Sequence, residues 1–169
     1  MKIMSSDINI EDLDVEELWL LFSKIRKRLK FLNQIRTNNV TGERGEQLII
    51  AYYNKTKGLA KLQAAPKGTR SIDAISRNGE RYSIKTIMFP NKTTGVFYGF
   101  GDKDNPKDEK KFEFVIICSI NDSYELKAIY ELDWKTFFEY KHWHSRMRAY
   151  NLNLTTKLIS ACKVIFINE

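Results

Sequence analysis

The sequence has no apolar run long enough to span a bilayer, and its start, MKIMSSDINIEDLD, lacks the apolar stretch of a signal peptide. We therefore expect neither membrane insertion nor export. Cysteine is scarce: only Cys118 and Cys162 occur, each in an apolar, strand-like run. Such residues are more typical of buried thiols in a cytoplasmic protein than of a disulfide or a metal-binding pair. The sequence also lacks repeats, linkers and low-complexity segments.

The chain is long enough for one domain with a hydrophobic core, since it has 169 residues, of which 43% are apolar. Its net charge of +7 is unevenly distributed. Six basic residues and no acid lie between Lys24 and Arg36, and five more, again without an acid, lie from Lys55 to Arg70. Such segregation suits a surface that binds a phosphate backbone. A solvated helix face followed by a basic loop explains it about as well.

Three helices are predicted. Asp14 and Glu17 have the form of a capping box ahead of an apolar repeat, which predicts a first helix over roughly 15–36, ended by Asn38-Asn39. A second is expected from about 43 to 56, with Thr41 as its cap and Gly58 as its stop. A late helix over about 134–149 is expected to be capped by Asp133.

The remaining segments predict a mixed β-sheet, so that the fold class is α/β. The run FEFVIICSI (112–120) is continuously apolar, as expected of a central strand that is buried on both faces. A loop rich in Gly, Thr and Lys is expected over 89–111. The other strands are expected at 59–65, in SIDAIS, in RYSIKTI, in YELKAIYEL and at 163–167.

The hairpin SIDAISRNGERYSIKT places an acid and a lysine on neighbouring strands. A two-residue Asn-Gly turn would put Asp73 opposite Ile84 and send Lys85 to the other face. A three-residue loop with Gly79 in the left-handed conformation puts Asp73 opposite Ser83, with Lys85 on the same face. A shared site for Asp73 and Lys85 therefore requires the three-residue loop.

An acid and a lysine in this arrangement suit phosphodiester hydrolysis. A carboxylate binds a hard cation such as Mg²⁺, and a lysine orients or helps to deprotonate the attacking water, or stabilises the charged phosphate. The alternative is a hairpin whose outward face happens to carry the two residues. Spacing alone favours that alternative, because such pairs are common on strands.

The hairpin carries a family resemblance. An Asp on one strand, a short turn and then (Asp/Glu)-x-Lys on the next is the signature of the PD-(D/E)xK nucleases, and IDAISRNGERYSIKT resembles the hairpin of PvuII-type restriction endonucleases. The segment VIICSINDSYELKAIYELDWKTFFEYKHW looks like the strand, turn, strand and helix that follow in that family, so that the resemblance covers roughly 60–145. It implies a restriction-endonuclease-like mixed β-sheet flanked by helices, and a Mg²⁺-dependent type II enzyme that cuts double-stranded DNA. A phage, repair or homing nuclease, or an inactive DNA-binding relative, is the alternative.

The resemblance also implies a domain plan and a catalytic pair. We expect one nuclease domain over 1–169, with a helical segment 1–40 that takes part in a homodimer and a catalytic core 41–169. Asp73 and Lys85 are the implied catalytic residues, and the backbone carbonyl of Ile84 would point at the metal.

The second carboxylate of the motif is missing, because Ser83 stands where the family has Asp or Glu. Some branches of the superfamily carry serine here and supply the carboxylate from elsewhere. Glu46 in GERGEQ is the best donor, as a catalytic residue and metal ligand, and Glu43, one turn away, is the second choice. An exposed helix residue without a role is an equal interpretation of Glu46.

In PvuII-type enzymes the segment after the lysine enters the major groove of DNA. Here that segment is MFPNKTTGVFYGFGDKDNPK, which could also be a surface loop that only connects strands. His142 and His144 would face different directions on the predicted late helix, so that we expect no shared metal ion. The candidate DNA-binding residues are Arg70, Lys92, Thr93, Thr94, Tyr98 and Asn105.

Overall fold

The computed structural model describes residues 9–168. The chain divides into two compact units, Met1–Asn38 and Asn39–Glu169. The first contains a short 3-10 helix, Ile10–Asp12, and helix α1, Val15–Phe31.

Helix α1 begins where the sequence predicts and ends early. The capping box is confirmed. The carboxylate of Asp14 accepts from the N–H of Glu17 at 2.9 Å, and the carboxylate of Glu17 accepts from the N–H of Asp14 at 3.0 Å. The predicted end at 36 is wrong. Asn33 adopts a φ of +54° and the N–H of Gln34 donates to the carbonyl of Leu29 at 2.8 Å, which closes the helix with a left-handed residue.

The second unit opens with helix α2, Val40–Lys55. Its cap is Asn39, whose side chain accepts from the N–H of Gly42 at 3.1 Å. The predicted cap, Thr41, is wrong because this residue already lies inside the first helical turn.

A six-stranded sheet forms the centre of the second unit, in the order β1-β2-β3-β4-β5-β8. Strands β3 and β4 run parallel, and the other neighbours are antiparallel. Strand β4 is buried on both faces, as predicted. The α/β class with a mixed sheet flanked by helices is thus confirmed. The strands are β1 Leu62–Ala64, β2 Ala74–Ser76, β3 Arg81–Met88, β4 Phe114–Ile120, β5 Leu126–Asp133, β6 His142–His144, β7 Ala149–Asn151 and β8 Lys163–Ile167, and the late helices are α3 Trp134–Tyr140 and α4 Thr156–Ala161.

Two apolar cores cover the two faces of the sheet. Ile49 and Tyr53 of α2 pack on one face, against Tyr82 and Ile84 of β3 among others. The other face is covered by the long segment 89–113, whose Phe97, Phe100 and Phe112 are almost fully buried, together with residues from 137 to 158. Because β3 and β4 are parallel, their connection must cross over the sheet, and this crossing segment, 89–113, contributes three aromatic rings to the core.

The predicted helix over 134–149 is wrong beyond Tyr140. Asp133 does cap α3, through a bond from the N–H of Thr136 at 2.8 Å. Lys141 is then extended, and strands β6 and β7 form a hairpin that is pinned by the ring of Trp143 on Tyr150 and by pairing of Tyr150 with Phe97. These tertiary contacts override the local helical pattern.

The two cysteines are free thiols. Cys118 is fully buried, as predicted, and Cys162 is half-buried. Within residues 9–168, no helix combines the length and the apolar character needed to cross a membrane.

Candidate active site

The β2–β3 hairpin has the three-residue loop that a shared site requires. The N–H of Ser76 donates to the carbonyl of Glu80 at 2.8 Å, and Gly79 has a φ of +84°. Ala74 pairs with Tyr82, and the paired register ends there, since the N–H of Asp73 also donates to the carbonyl of Tyr82 at 2.8 Å. The side chain of Asp73 nonetheless reaches the hydroxyl of Ser83 at 3.3 Å. The buried hydroxyl of Ser76 accepts from the N–H of Glu80 at 3.1 Å and donates to its carboxylate at 2.9 Å, which fixes the turn. The predicted loop is therefore confirmed.

Asp73 lies just before β2 and is bonded across to β3. One carboxylate oxygen, Oδ2, accepts from the N–H of Ile84 at 2.7 Å and from the hydroxyl of Ser83 at 3.3 Å. These two bonds hold the carboxylate in place against β3.

Lys85 follows two residues after Ser83 and shares its face of the strand. Its Nζ lies 4.8 Å from the centre of the Phe97 ring, within cation–π range. Burial lowers the pKa of Lys85, and the negative charges of Asp73 and Glu46 oppose this shift. The amine is therefore partly desolvated but lies in the field of two carboxylates.

Glu46 lies on helix α2 and contributes to the negative electrostatic field at Lys85. The neighbouring Gly45 lies so close to Thr86 of β3 that a Cβ at position 45 would overlap the threonine side chain, which brings this turn of α2 against the strand. Glu46 is one of the two acids that raise the pKa of Lys85, whereas Glu43, the second choice, is buried and is not among them. The structure thus brings Asp73, Lys85 and Glu46 within electrostatic range of one another.

A cavity of about 570 Å³ opens beside these residues. Ser83 and Lys85 form its floor, and the segment 96–100 and Lys111 form further walls. Arg70 and Ser71 line it from the chain that leads into β2, where Ser71 has a φ of +63°. Ile84 lies between the two floor residues with its own side chain in the opposite core, and its carbonyl remains a predicted metal ligand.

The predicted DNA-binding residues are separated by the fold. Arg70 and Tyr98 line the cavity beside Lys85. Lys92 and Thr93 line a second cavity of about 660 Å³ at the far end of β3. Asn105 is exposed in the loop beyond them.

The prediction that Thr94 binds DNA is wrong. Its side chain is only 5% exposed, and its hydroxyl donates to the carbonyl of Gly95 and accepts from the N–H of Leu152. The Thr94 hydroxyl is therefore used in bonds that hold the segment 89–113 against Leu152, and it is not available to DNA.

His142 and His144 are placed differently from the expectation. They lie two residues apart on strand β6 and therefore share a face, so the reasoning from a helix is wrong. The Nδ1 of His144 accepts from the N–H of Met147 at 3.3 Å. No group of three or more metal-ligating side chains occurs among residues 9–168, in this hairpin or elsewhere.

Lys111 lines the cavity, although the sequence did not predict it as a site residue. It lies 26 residues beyond Lys85 along the chain and belongs to the run KDEKKFEF, where its charge looks like that of its neighbours. Only the path of the crossing segment brings it to the cavity.

A comparison with protein-family models finds no match, and a comparison with curated proteins finds none either. The chemistry of the site is therefore the guide to its function.

Proposed function

We propose that the protein is a Mg²⁺-dependent endonuclease that hydrolyses phosphodiester bonds of double-stranded DNA, as a type II restriction enzyme with a restriction-endonuclease-like fold. The observation that carries the proposal is the hairpin register: Gly79 closes a three-residue loop, and Asp73 and Lys85 consequently share one face beside a cavity. The order of hairpin, β4, β5 and α3 agrees with the order of elements in the resemblance.

The donors at the site fit a hard divalent cation. Asp73 offers its carboxylate, Glu46 offers a second carboxylate, and the carbonyl of Ile84 offers a neutral oxygen. All three are oxygen ligands of the kind that Mg²⁺ prefers. Bound there, Mg²⁺ would lower the pKa of water and offset the negative charge of the phosphate.

Lys85 supplies the second half of the chemistry. A phosphodiester next to its ammonium group would be attracted and polarised, and the low dielectric of a partly buried site strengthens this effect.

The proposed homodimer rests on helix α1 of the first unit. Its first turn is acidic and its last turn is basic, so that two antiparallel copies would pair opposite charges at both ends. The apolar stripe would then be buried between them. Its members are Leu18, Phe22, Ile25 and Leu32, each between 39% and 48% exposed.

Ser83 favours a second candidate, an inactive DNA-binding relative, because a hydroxyl replaces a charged metal ligand of the motif. Incubation of supercoiled plasmid with the protein, with and without Mg²⁺, separates the two. We expect Mg²⁺-dependent cutting into discrete fragments, and EDTA should stop it. A smear would mark a nuclease without sequence preference, such as a repair enzyme. Binding without cutting would favour the inactive relative.

A further inference from the structure

The cavity beside Lys85 is strongly cationic. Of its lining side chains, Arg70, Lys85 and Lys111 are basic and none is acidic. A concave, positively charged surface concentrates anions more effectively than an exposed patch, since its field is focused by the surrounding protein. Lys85 belongs to the proposed hydrolytic site, and Arg70 and Lys111 are the other two cations of the cavity.

The backbone at Gly99 lets Lys111 lie across the wall of the cavity. Gly99 has a φ of +83°, and a Cβ there would come within 3.3 Å of the Cε of Lys111 and 3.5 Å of its Nζ. The Nζ also lies 5.7 Å from the centre of the Phe100 ring. The lysine side chain, which is 25% exposed, is thus supported on two sides and costs less entropy to hold in place than a free surface lysine.

The positive charge of Lys111 is only weakly compensated. Its ion pair with Glu109 is 3.7 Å long, and the Glu109 side chain is 75% exposed. Such pairs contribute little and are readily exchanged for a stronger anion.

Arg70 lines the same cavity from the chain that leads into β2. It precedes Ser71, a non-glycine residue with a φ of +63°, a strained conformation of the kind that clusters at functional sites.

We infer that Arg70 and Lys111 form a phosphate-binding subsite of this cavity, which holds a phosphodiester group of the bound DNA strand beside Asp73 and Lys85. The inference rests on the proposed nuclease function and deepens it. Lys111 acts as a positioning residue: it binds the strand and leaves the hydrolytic step to the other groups.

The test compares Lys111→Ala with Lys110→Ala. Lys110 has the same charge, but its Nζ lies 3.7 Å from Glu113 and it does not line the cavity. Binding of a labelled DNA duplex is measured by fluorescence anisotropy in EDTA, so that no cutting occurs, over a range of salt concentrations. We expect Lys111→Ala to weaken binding about fivefold to tenfold and to reduce the salt slope by about one, whereas Lys110→Ala stays within about twofold of the wild type.

A further variant separates phosphate binding from a structural role. Lys111→Arg keeps the charge and should restore most of the affinity. Equal affinities for Lys111→Ala and Lys110→Ala, in a protein whose wild type binds and cuts DNA, would overturn the subsite but leave the nuclease standing. A loss in Lys111→Ala that Lys111→Arg does not restore would also overturn it. A wild type that neither binds nor cuts DNA would overturn both.

Discussion

The carboxylate of Asp73 accepts a hydrogen bond from the backbone N–H of Ile84 at 2.7 Å. This bond joins the end of one hairpin strand to the middle of the other, at a point where β2 has not yet begun. It positions the acid of the site relative to Ser83 and Lys85, which flank Ile84 on the strand. The geometry of the candidate site therefore depends on the geometry of the hairpin, and variants that disturb one should disturb the other.

Gly79→Ala should weaken both the hairpin and the activity. Because Gly79 has a φ of +84° in open space, an alanine there would be strained without any clash. We expect the free energy of unfolding to fall by about 1–2 kcal/mol, measured by urea denaturation. Gly95→Ala is the control, since Gly95 also lies in open space but without a positive φ, and it should change stability by less than about 0.5 kcal/mol. Equal effects of the two substitutions would contradict the left-handed loop.

Gly45→Ala should push α2 away from β3. Alanine normally stabilises a helix relative to glycine, but here the added Cβ would overlap Thr86. We expect a loss of about 1–3 kcal/mol of unfolding free energy, and slower cutting because Glu46 moves with the helix. Thr86→Ala makes room for the methyl group, so that the double variant should be more stable than Gly45→Ala alone. Additive effects in a double-mutant cycle would rule out the contact.

Glu46→Gln tests the second carboxylate. The substitution keeps the size and the hydrogen-bonding capacity of the side chain but removes the negative charge that acts on Lys85. We expect Mg²⁺-dependent cutting to fall about 100-fold or more. Glu139→Gln, on the exposed side of α3, is a matched control that should cut normally. Normal cutting by Glu46→Gln would remove this residue from the site.

Glu113 gives a prediction for the pH dependence of stability. The guanidinium and the backbone N–H of Arg81 both donate to the carboxylate of Glu113, and these hydrogen bonds lower its pKa from 4.5 to about 2. A carboxyl with a lowered pKa in the folded state contributes stability above pH 4.5, and this contribution is lost as the pH falls towards 2.

Glu113→Gln should therefore be less stable than the wild type at neutral pH, and the difference should shrink on acidification. Because the Arg81 side chain is 36% exposed, solvent screening keeps the expected difference near about 1 kcal/mol at pH 7. Urea denaturation at a series of pH values measures it, with Glu139→Gln as the reference. A difference that does not change with pH would mean that the ion pair does not stabilise the fold.

Local chemistry allowed some features to be predicted from the sequence. Capping by Asp14 and Asp133 needs only a side-chain oxygen and a nearby N–H, and both caps are present, whereas the predicted cap Thr41 gives way to Asn39. Strand alternation left two hairpin loops open, and only the requirement that Asp73 and Lys85 share a site selected the three-residue loop with Gly79 at its left-handed position.

Where distant contacts decide, the sequence was insufficient. The segment 142–151 has a helical pattern, but Trp143 and Tyr150 pack together and the chain pairs with Phe97, which makes it a hairpin. Lys111 looks like any charged loop residue until the crossing segment folds over the sheet. Helix α1 is closed by Asn33, because asparagine tolerates a positive φ. The sequence alone does not distinguish Asn33 from Asn38-Asn39 as the end of the helix, because asparagine is a stop signal at either place.

The central claim is that Asp73 is the acid of a metal-dependent nuclease, and the rate of plasmid cutting by Asp73→Asn tests it most directly. Asparagine can still accept the hydrogen bond from Ile84, so that the substitution removes the charge and preserves the hairpin. Asp122→Asn, in the exposed turn between β4 and β5, is the control. With Mg²⁺ present, we expect Asp122→Asn to cut like the wild type and Asp73→Asn to cut about 100-fold more slowly or not at all. Cutting by Asp73→Asn at the wild-type rate would contradict the claim.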